Sequence, residues 1–294
     1  MTNPTLTYGH GFLDDCGSTT DWNETEAGLV CALTSLYDDV FQLEGVCDNA
    51  ADEYAFYDKD ISALSVSSTT FPNYMIRWKT SESANACGAR VKLDFDAGTQ
   101  WLLGETTPEF STEWTVSTGT VTAGKTIEHI ELYADDYPDT VDAGTSYVYY
   151  DFILFFKGTF TFPYIRPGSV RVKLHNHYAP LGIPCKVGDI KQYMGMDDPR
   201  IFLYGGIDSA AGWGNPHGQY LYYIFLHAHE EPWQWFTSNL GNFKVVPVDL
   251  EIEQDSEVED LKRWRVELGM FNMAGGGETQ MKDGIEWLGH DWQT

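Results

Sequence analysis

The chain has 294 residues, 43% of them hydrophobic and 15% aromatic, with 10 Trp, 17 Tyr and 16 Phe. That length suits two domains, and so much apolar surface can offset the entropy of ordering two cores, which excludes a disordered chain. The net charge of −26, from 18 basic and 44 acidic residues, repels polyanions, so nucleic acid is not an expected partner.

Met1-Thr2-Asn3-Pro4 leads straight into polar sequence. No cationic and apolar leader precedes it, so synthesis without a signal peptide is expected. The most apolar stretch, Tyr147–Phe156, falls short of the roughly 18 residues a membrane helix needs, and no membrane insertion is expected. The acids are unevenly spread: residues 1–163 carry 7 basic and 26 acidic side chains, and residues 164–294 carry 11 and 18. Such an excess reads as a solvated surface adapted to salt or as a supply of calcium ligands, since hard cations take carboxylate oxygens.

From Val40 to Phe160 the sequence runs as short strand signals separated by turns. Strands are predicted near residues 40–46, 53–58, 72–80, 88–95, 99–104, 111–118, 126–133 and 146–156, each rich in β-branched and aromatic residues. Such spacing is that of two packed antiparallel sheets. Residues Ala89–Asp96 alternate apolar and charged, which gives one wet face. Residues 127–132 alternate only approximately, which predicts an edge or a bulge there. The joint is placed at Thr161–Gly168, where two prolines and a glycine follow the last long strand. Beyond it strands are predicted at 169–175, 199–207, 243–253 and 263–273. The dense apolar run Gln219–His229 reads as a helix on a sheet, and Gly275–Gly277 joins a short final arm with Trp287 and Trp292. The expected architecture is mostly β, with a sandwich over residues 1–163 and a smaller α+β domain over 164–294.

The five cysteines, Cys16, Cys31, Cys47, Cys87 and Cys185, are odd in number and form no C-x-x-C pair, so most are read as buried thiols, with a Cys16–Cys31 bridge left open. Two His-x-His pairs, His175/His177 and His227/His229, lack a third ligand at a telling distance, so buried or hydrogen-bonded histidines are preferred to zinc. A glycosidase would need two carboxyl groups in unlike environments. Asp94 with Asp96, or Glu128 with Glu131, are the pairs on credible strands, and nothing marks either as shielded. No nucleophile elbow, P-loop or dinucleotide glycine pattern occurs, so no catalytic residue is assigned and the chain is not read as an enzyme.

The order of signals over residues 8–160 resembles the jelly-roll carbohydrate-binding modules, also called galactose-binding-like domains. It is carried by Phe12-Leu13-Asp14-Asp15 ahead of Trp22, by Tyr74–Lys79, by Trp114-Thr115-Val116, by Ile127–Asp136, and by Tyr147–Ile153 with Asp151 ahead of the last apolar strand. The resemblance implies a jelly-roll sandwich and a structural calcium ion held by Asp14 or Asp15 together with Asp151. Sugar recognition would need exposed rings as stacking platforms, for which Trp22, Tyr57, Trp78 and Trp101 are candidates, Trp78 being the one most suited to a core.

Residues 180–273 resemble a second group, the small domains of tail-tip and baseplate-hub proteins of phages and archaeal tailed viruses. The carrying segments are Gly188–Gly195, Pro199–Ile207, Gln234–Val245 and Arg263–Leu268, with Asp208–His217 as an insertion the pattern lacks. This resemblance implies a structural protein of the virion tail, assembled with other tail proteins and with copies of itself, whose first domain faces outward toward a cell-surface glycan. The alternative is a free-standing glycan-binding protein or an accessory module of a polysaccharide-degrading enzyme.

Overall fold

The computed structural model describes residues 3–16, 18–27, 32–37, 40–47, 54–83, 86–136, 144–162, 170–173, 176–182, 189–196, 200–208, 225, 233–239, 241–254 and 261–270. The chain divides into two compact units, one of Gly9–Gly158 and one combining Met1–Tyr8 with Thr159–Thr294. The opening residues belong with the second unit because Leu6 is fully buried among Phe236, Phe243 and Trp264, Leu6 opposes Phe236 across a strand pair, and the Phe162 N–H donates to the Pro4 carbonyl at 2.9 Å.

The Gly9–Gly158 unit is a β-sandwich. One sheet has the order β2 (Asn23–Ala27), β5 (Tyr54–Asp60), β10 (Ile127–Asp135), β7 (Gly88–Phe95), β8 (Thr99–Leu103). The other contains β3 (Ala32–Tyr37), β4 (Val40–Cys47), β11 (Gly144–Thr161), β6 (Asn73–Thr80) and β9 (Thr115–Thr120), with β1 (Thr5–Asp14) also beside β11. The pairings with assigned register are antiparallel, and the burial of β7 alternates as the sequence dictates: Ala89, Val91, Leu93 and Phe95 are inside, while Arg90, Lys92 and Asp94 are not. Ile76, Trp78, Leu132, Tyr150 and Ile153 join them in the core, each large apolar side chain contributing about 1.5–3 kcal/mol by leaving water. β10 carries the expected bulge, between Ile127 and His129, yet is a central strand.

A second bulge fixes a charge. Tyr150 opposes Trp78 and Phe152 opposes Arg77, so Asp151 is the unopposed residue of β11. Its carboxylate accepts from Arg77 Nη1 at 2.5 Å, with the two side chains 3% and 2% exposed, and the Arg77 guanidinium also lies 4.3 Å from the Trp114 ring centroid. Placing one extra residue in the ladder re-aims a side chain through a local kink of the strand.

All the described elements of the second unit except the single helical residue Phe225 are strands. They are β12 (Val170–Lys173), β15 (Arg200–Asp208), β18 (Leu261–Met270), β17 (Gly241–Gln254) and β16 (Gln234–Ser238) in sheet order, and a separate hairpin of β13 (Asn176–Gly182) and β14 (Asp189–Met196). Trp264 packs onto Gly205, where a side chain would meet the indole at 2.2 Å. The helix expected over 219–229 lies outside the described residues apart from Phe225, as do the arm beyond residue 270 and the side chains of His175, His177, His227 and His229.

The Cys16–Cys31 bridge left open does not form. Cys16 is a free buried thiol, but Cys87 is disulfide-bonded. An odd count speaks only against complete pairing and leaves room for a bridge at Cys87.

Two outcomes are expected. Asp151→Ala leaves the Arg77 cation buried without this partner and should cost about 3–5 kcal/mol in urea unfolding, with much of it recovered in Arg77→Met/Asp151→Leu; equal stability of Asp151→Ala and the parent would contradict the buried-pair account. Alkylation of denatured, unreduced protein should label Cys16 and spare Cys87, read by peptide mass mapping.

Candidate functional site

The outer face of the sheet β2-β5-β10-β7-β8 gathers the chemistry. Residues opposite one another on antiparallel strands share a face. Phe56 opposes Tyr133, which opposes Arg90; Asp58 opposes Glu131, which opposes Lys92, which opposes Trp101; Asp60 opposes His129, which opposes Asp94. These rows lie on the side away from Ala55, Tyr57, Val91, Leu93, Ile130 and Leu132, which form the core.

An aromatic strip crosses this face. Tyr54, 37% exposed, stacks with Phe56 at 6.2 Å between centroids. Phe56 stacks with Tyr133 at 4.9 Å, and Tyr133, itself buried, meets Trp101 at 5.3 Å, so it supports the strip from within and leaves Tyr54, Phe56 and Trp101 as the accessible rings. The Arg90 guanidinium lies 4.1 Å from the Trp101 centroid and is held by Asp135 at 2.6 Å and by the Gly104 carbonyl at 2.7 Å. Gly104 is required there: its φ is +67°, and a side chain would meet Arg90 at 2.6 Å. Arg90 thereby fixes the indole plane from one side.

A polar row runs beside the strip. Lys92 Nζ donates to Glu131 at 2.8 Å and lies 3.1 Å from Asp94, and the Tyr133 hydroxyl donates to Glu131 at 2.5 Å. His129 Nδ1 is 2.9 Å from Asp58. Burial works against the Lys92 charge, but the hydrogen bonds and charges of Glu131 and Asp94 outweigh it and lift its pKa. Burial likewise opposes a charged His129, and the Asp58 hydrogen bond with the charges of Asp58, Asp60 and Asp94 raises its pKa on balance above 6.5. Burial, then the Glu131 hydrogen bond, pushes the Tyr133 phenol far above its usual range. Tyr133 therefore stays a neutral donor. Asp58, Asp60, Asp94, Glu131 and Asp135 outnumber Arg90 and Lys92, so the face is acidic and disfavours anionic ligands. Rings beside fixed donors and acceptors can stack on a sugar ring and bond its hydroxyls.

Of the expected platforms, Trp101 lies on this face, partly buried. Tyr57 is 3% exposed and Trp22 8%, both within the core, with Trp22 edge-on to Phe41 at 5.4 Å, and Trp78 is buried with its indole donating to Ser117 at 2.9 Å. Tyr57 shares the phase of Ala55, whereas Phe56 and Tyr54 share that of Asp58 and Asp60, so β5 turns the other pair of rings outward. Tyr54 and Phe56 are legible only from that phase, and Tyr133 only from its place opposite Phe56 on β10.

The expected calcium ligands are not brought together as a cation site. Asp14 accepts from Lys59 Nζ at 2.5 Å and from the Cys16 N–H at 2.8 Å, while Asp151 is held by Arg77. Each carboxylate thus has a cationic partner that calcium would have to displace, a donor set that does not fit the ion. Asp15 is exposed. Among the described residues no group of three or more His, Cys, Asp or Glu side chains could hold a metal ion.

The raised His129 pKa has a checkable consequence. The stability it contributes is complete below the unfolded value of 6.5 and is lost as the pH rises through the folded value. The melting temperature of the parent should therefore fall, relative to His129→Gln, as the pH is taken upward across that window; parallel curves would contradict the His129–Asp58 pairing.

A scan against protein-family models finds no match, and a search of curated proteins finds none. Among solved structures, the chain is similar to a family 11 carbohydrate-binding module from Clostridium thermocellum in complex with a β-1,3-1,4-mixed-linked tetrasaccharide, at 8% identity and a TM-score of 0.31, over 53% of this chain and 96% of that one. It is similar to a family 29 module from Piromyces equi at 13% identity and a TM-score of 0.29, over 53% and 91%. A tandem pair of family 22 modules from Paenibacillus barcinonensis Xyn10C aligns with 96% of this chain and 89% of its own length, at 11% identity and a TM-score of 0.33.

Proposed function

We propose that the protein binds a neutral glycan on the outer face of the β2-β5-β10-β7-β8 sheet. The observation that carries this is the strip Tyr54, Phe56 and Trp101, joined through the buried Tyr133, alongside the hydrogen-bonded row Asp58, His129, Glu131, Lys92 and Asp94. A pyranose ring offers an apolar face of C–H groups to an aromatic ring and hydroxyls to its surroundings, which is the complement of this pattern. The row is already internally bonded, so its groups are oriented before a ligand arrives and little ordering cost is added on binding. The carboxylates on the face repel uronates and sulfated sugars, which restricts the ligand to uncharged chains.

The setting in a virion tail, among other tail proteins and copies of the same chain, is kept as a proposal. The Cys87 disulfide favours a protein that works outside a reducing cytosol, as one carried on a particle or released would. The accessory-module alternative shares the same binding face and differs in its partner. A trimeric or hexameric mass by light scattering supports the tail setting, and a monomer at every salt concentration counts against it.

Affinity electrophoresis through gels containing soluble neutral polysaccharides tests the binding claim. Retardation by at least one β-glucan, xylan or mannan is expected, weakened about ten- to a hundredfold in Trp101→Ala, since a well-packed ring contributes about 1.5–3 kcal/mol. Equal retardation of the parent and Trp101→Ala/Tyr54→Ala, or retardation by none of the polymers, would sink it.

A further inference from the structure

The other sheet of the Gly9–Gly158 unit turns a second set of rings outward. On β11, Val148 and Tyr150 are fully buried in the core, so alternation sets Tyr147 and Tyr149 on the face away from it. Both are partly exposed, and their ring centroids lie 6.3 Å apart. On β4, Phe41 and Leu43 are likewise buried, while Gln42 and Glu44 are partly exposed. Glu44 stands directly opposite Tyr147, and Gln42 directly opposite Tyr149. Cross-strand partners share a face, so each ring has a polar group beside it, a carboxylate for one and an amide for the other.

Tyr149 is braced from its other flank. β6 pairs with both β11 and β9, and Lys79 on β6 stands opposite Tyr149. The Lys79 ammonium lies 5.0 Å from the Tyr149 centroid and 4.7 Å from that of Trp114, the residue ahead of β9. Trp114 in turn lies 4.3 Å from the buried Arg77 guanidinium. The ammonium is thus held between two rings and meets Tyr149 from the β6 side. Arg90 braces Trp101 in the same manner on the first face. Tyrosine suits a strand surface whatever its role. Two in succession on one phase, each opposite a group that bonds hydroxyls, repeat the pattern of the first face. Lys79 and Glu44 offset one another in charge, which suits an uncharged ligand.

We infer that the outer face of β11 and β4 around Tyr147, Tyr149, Gln42 and Glu44 is a second binding site for a neutral glycan. The tyrosine rings stack on the apolar faces of sugar rings, Glu44 accepts from the sugar hydroxyls, and Gln42 both donates and accepts. The buried residues Tyr150, Trp78, Tyr57 and Leu132 lie between this face and the first. One unit therefore presents sites on opposite sides and engages a polymer at two points, which raises its avidity. The two sites share no residue, so either can fail without the other.

The test is affinity electrophoresis of the full chain through gels containing a soluble β-glucan, xylan or mannan, for the parent, Trp101→Ala, Tyr147→Ala/Tyr149→Ala and the triple variant. Because both sites engage one polymer, Tyr147→Ala/Tyr149→Ala should weaken retardation about tenfold, and the triple variant should fall about tenfold below Trp101→Ala. Tyr147→Phe/Tyr149→Phe keeps the rings and should keep the binding. Should the double alanine variant fail to fold, Tyr147→Ala alone gives the same comparison. Trp101→Ala retarded as strongly as the parent, with Tyr147→Ala/Tyr149→Ala weakened, would sink the first site and leave this one standing. The inference is overturned if Tyr147→Ala/Tyr149→Ala is retarded as strongly as the parent, or if the triple variant matches Trp101→Ala. It is also overturned if light scattering shows that Tyr147→Ala/Tyr149→Ala lowers the mass of an oligomeric parent to a monomer while Tyr147→Ala/Tyr149→Ala in the Trp101→Ala background costs no retardation, which would make the face a contact between copies.

Discussion

Each strand of the β2-β5-β10-β7-β8 sheet has to give one of its two faces to the core, and on a strand the choice of one residue decides the next. With Val91, Leu93, Ile130, Leu132, Ala55 and Tyr57 committed inward, the intervening residues Arg90, Lys92, Asp94, His129, Glu131, Tyr133, Phe56 and Asp58 are committed outward as a set. The candidate site is therefore the other side of the core. A shift of one residue in the β7–β10 register would exchange Lys92 and Glu131 for Val91 and Leu132, burying charge and exposing aliphatic groups. Hydrophobic burial is what holds these polar and aromatic groups in rank.

Within that rank, the polar side chains hold one another. Glu131 accepts from both Lys92 and Tyr133, and Arg90 is braced by Asp135 and Gly104 while it lies on Trp101. The cost of taking Lys92 and Glu131 partly out of water is offset by these bonds, and their geometry is set before any ligand is present. The bulge at Asp151 works in the same way in the opposite sheet, spending one irregularity in β11 to satisfy the buried Arg77.

Much of the sandwich is legible in the sequence. Strands predicted at 88–95 and 72–80 fall on β7 and β6 almost to the residue, because both alternate or are bounded by turn residues. β1, β2 and β3 escape notice for physical reasons: β1 is interrupted by Gly9 and Gly11, and β2 reads Asn-Glu-Thr-Glu-Ala, a polar edge strand with no apolar period. The place of Leu6 in the second core is set by pairing with Phe236, a contact some 230 residues away in sequence (Trp235 N–H to Thr7 Oγ1 spans 228) that no local pattern encodes. The site is less legible than the fold. Trp101 can be named from its residue type, but telling Phe56 from Tyr57 takes the phase of the neighbouring aspartates, and the partners of Asp14 and Asp151 are cations on other strands.

The most direct measurement is the proton–nitrogen spectrum of the tryptophan indoles, assigned by substitution, during titration with a neutral oligosaccharide that retards the protein. The account predicts that the Trp101 indole resonance moves saturably together with the His129 imidazole, while those of the core residues Trp22 and Trp78 stay in place. Saturable shifts that spare Trp101 and His129 would contradict it.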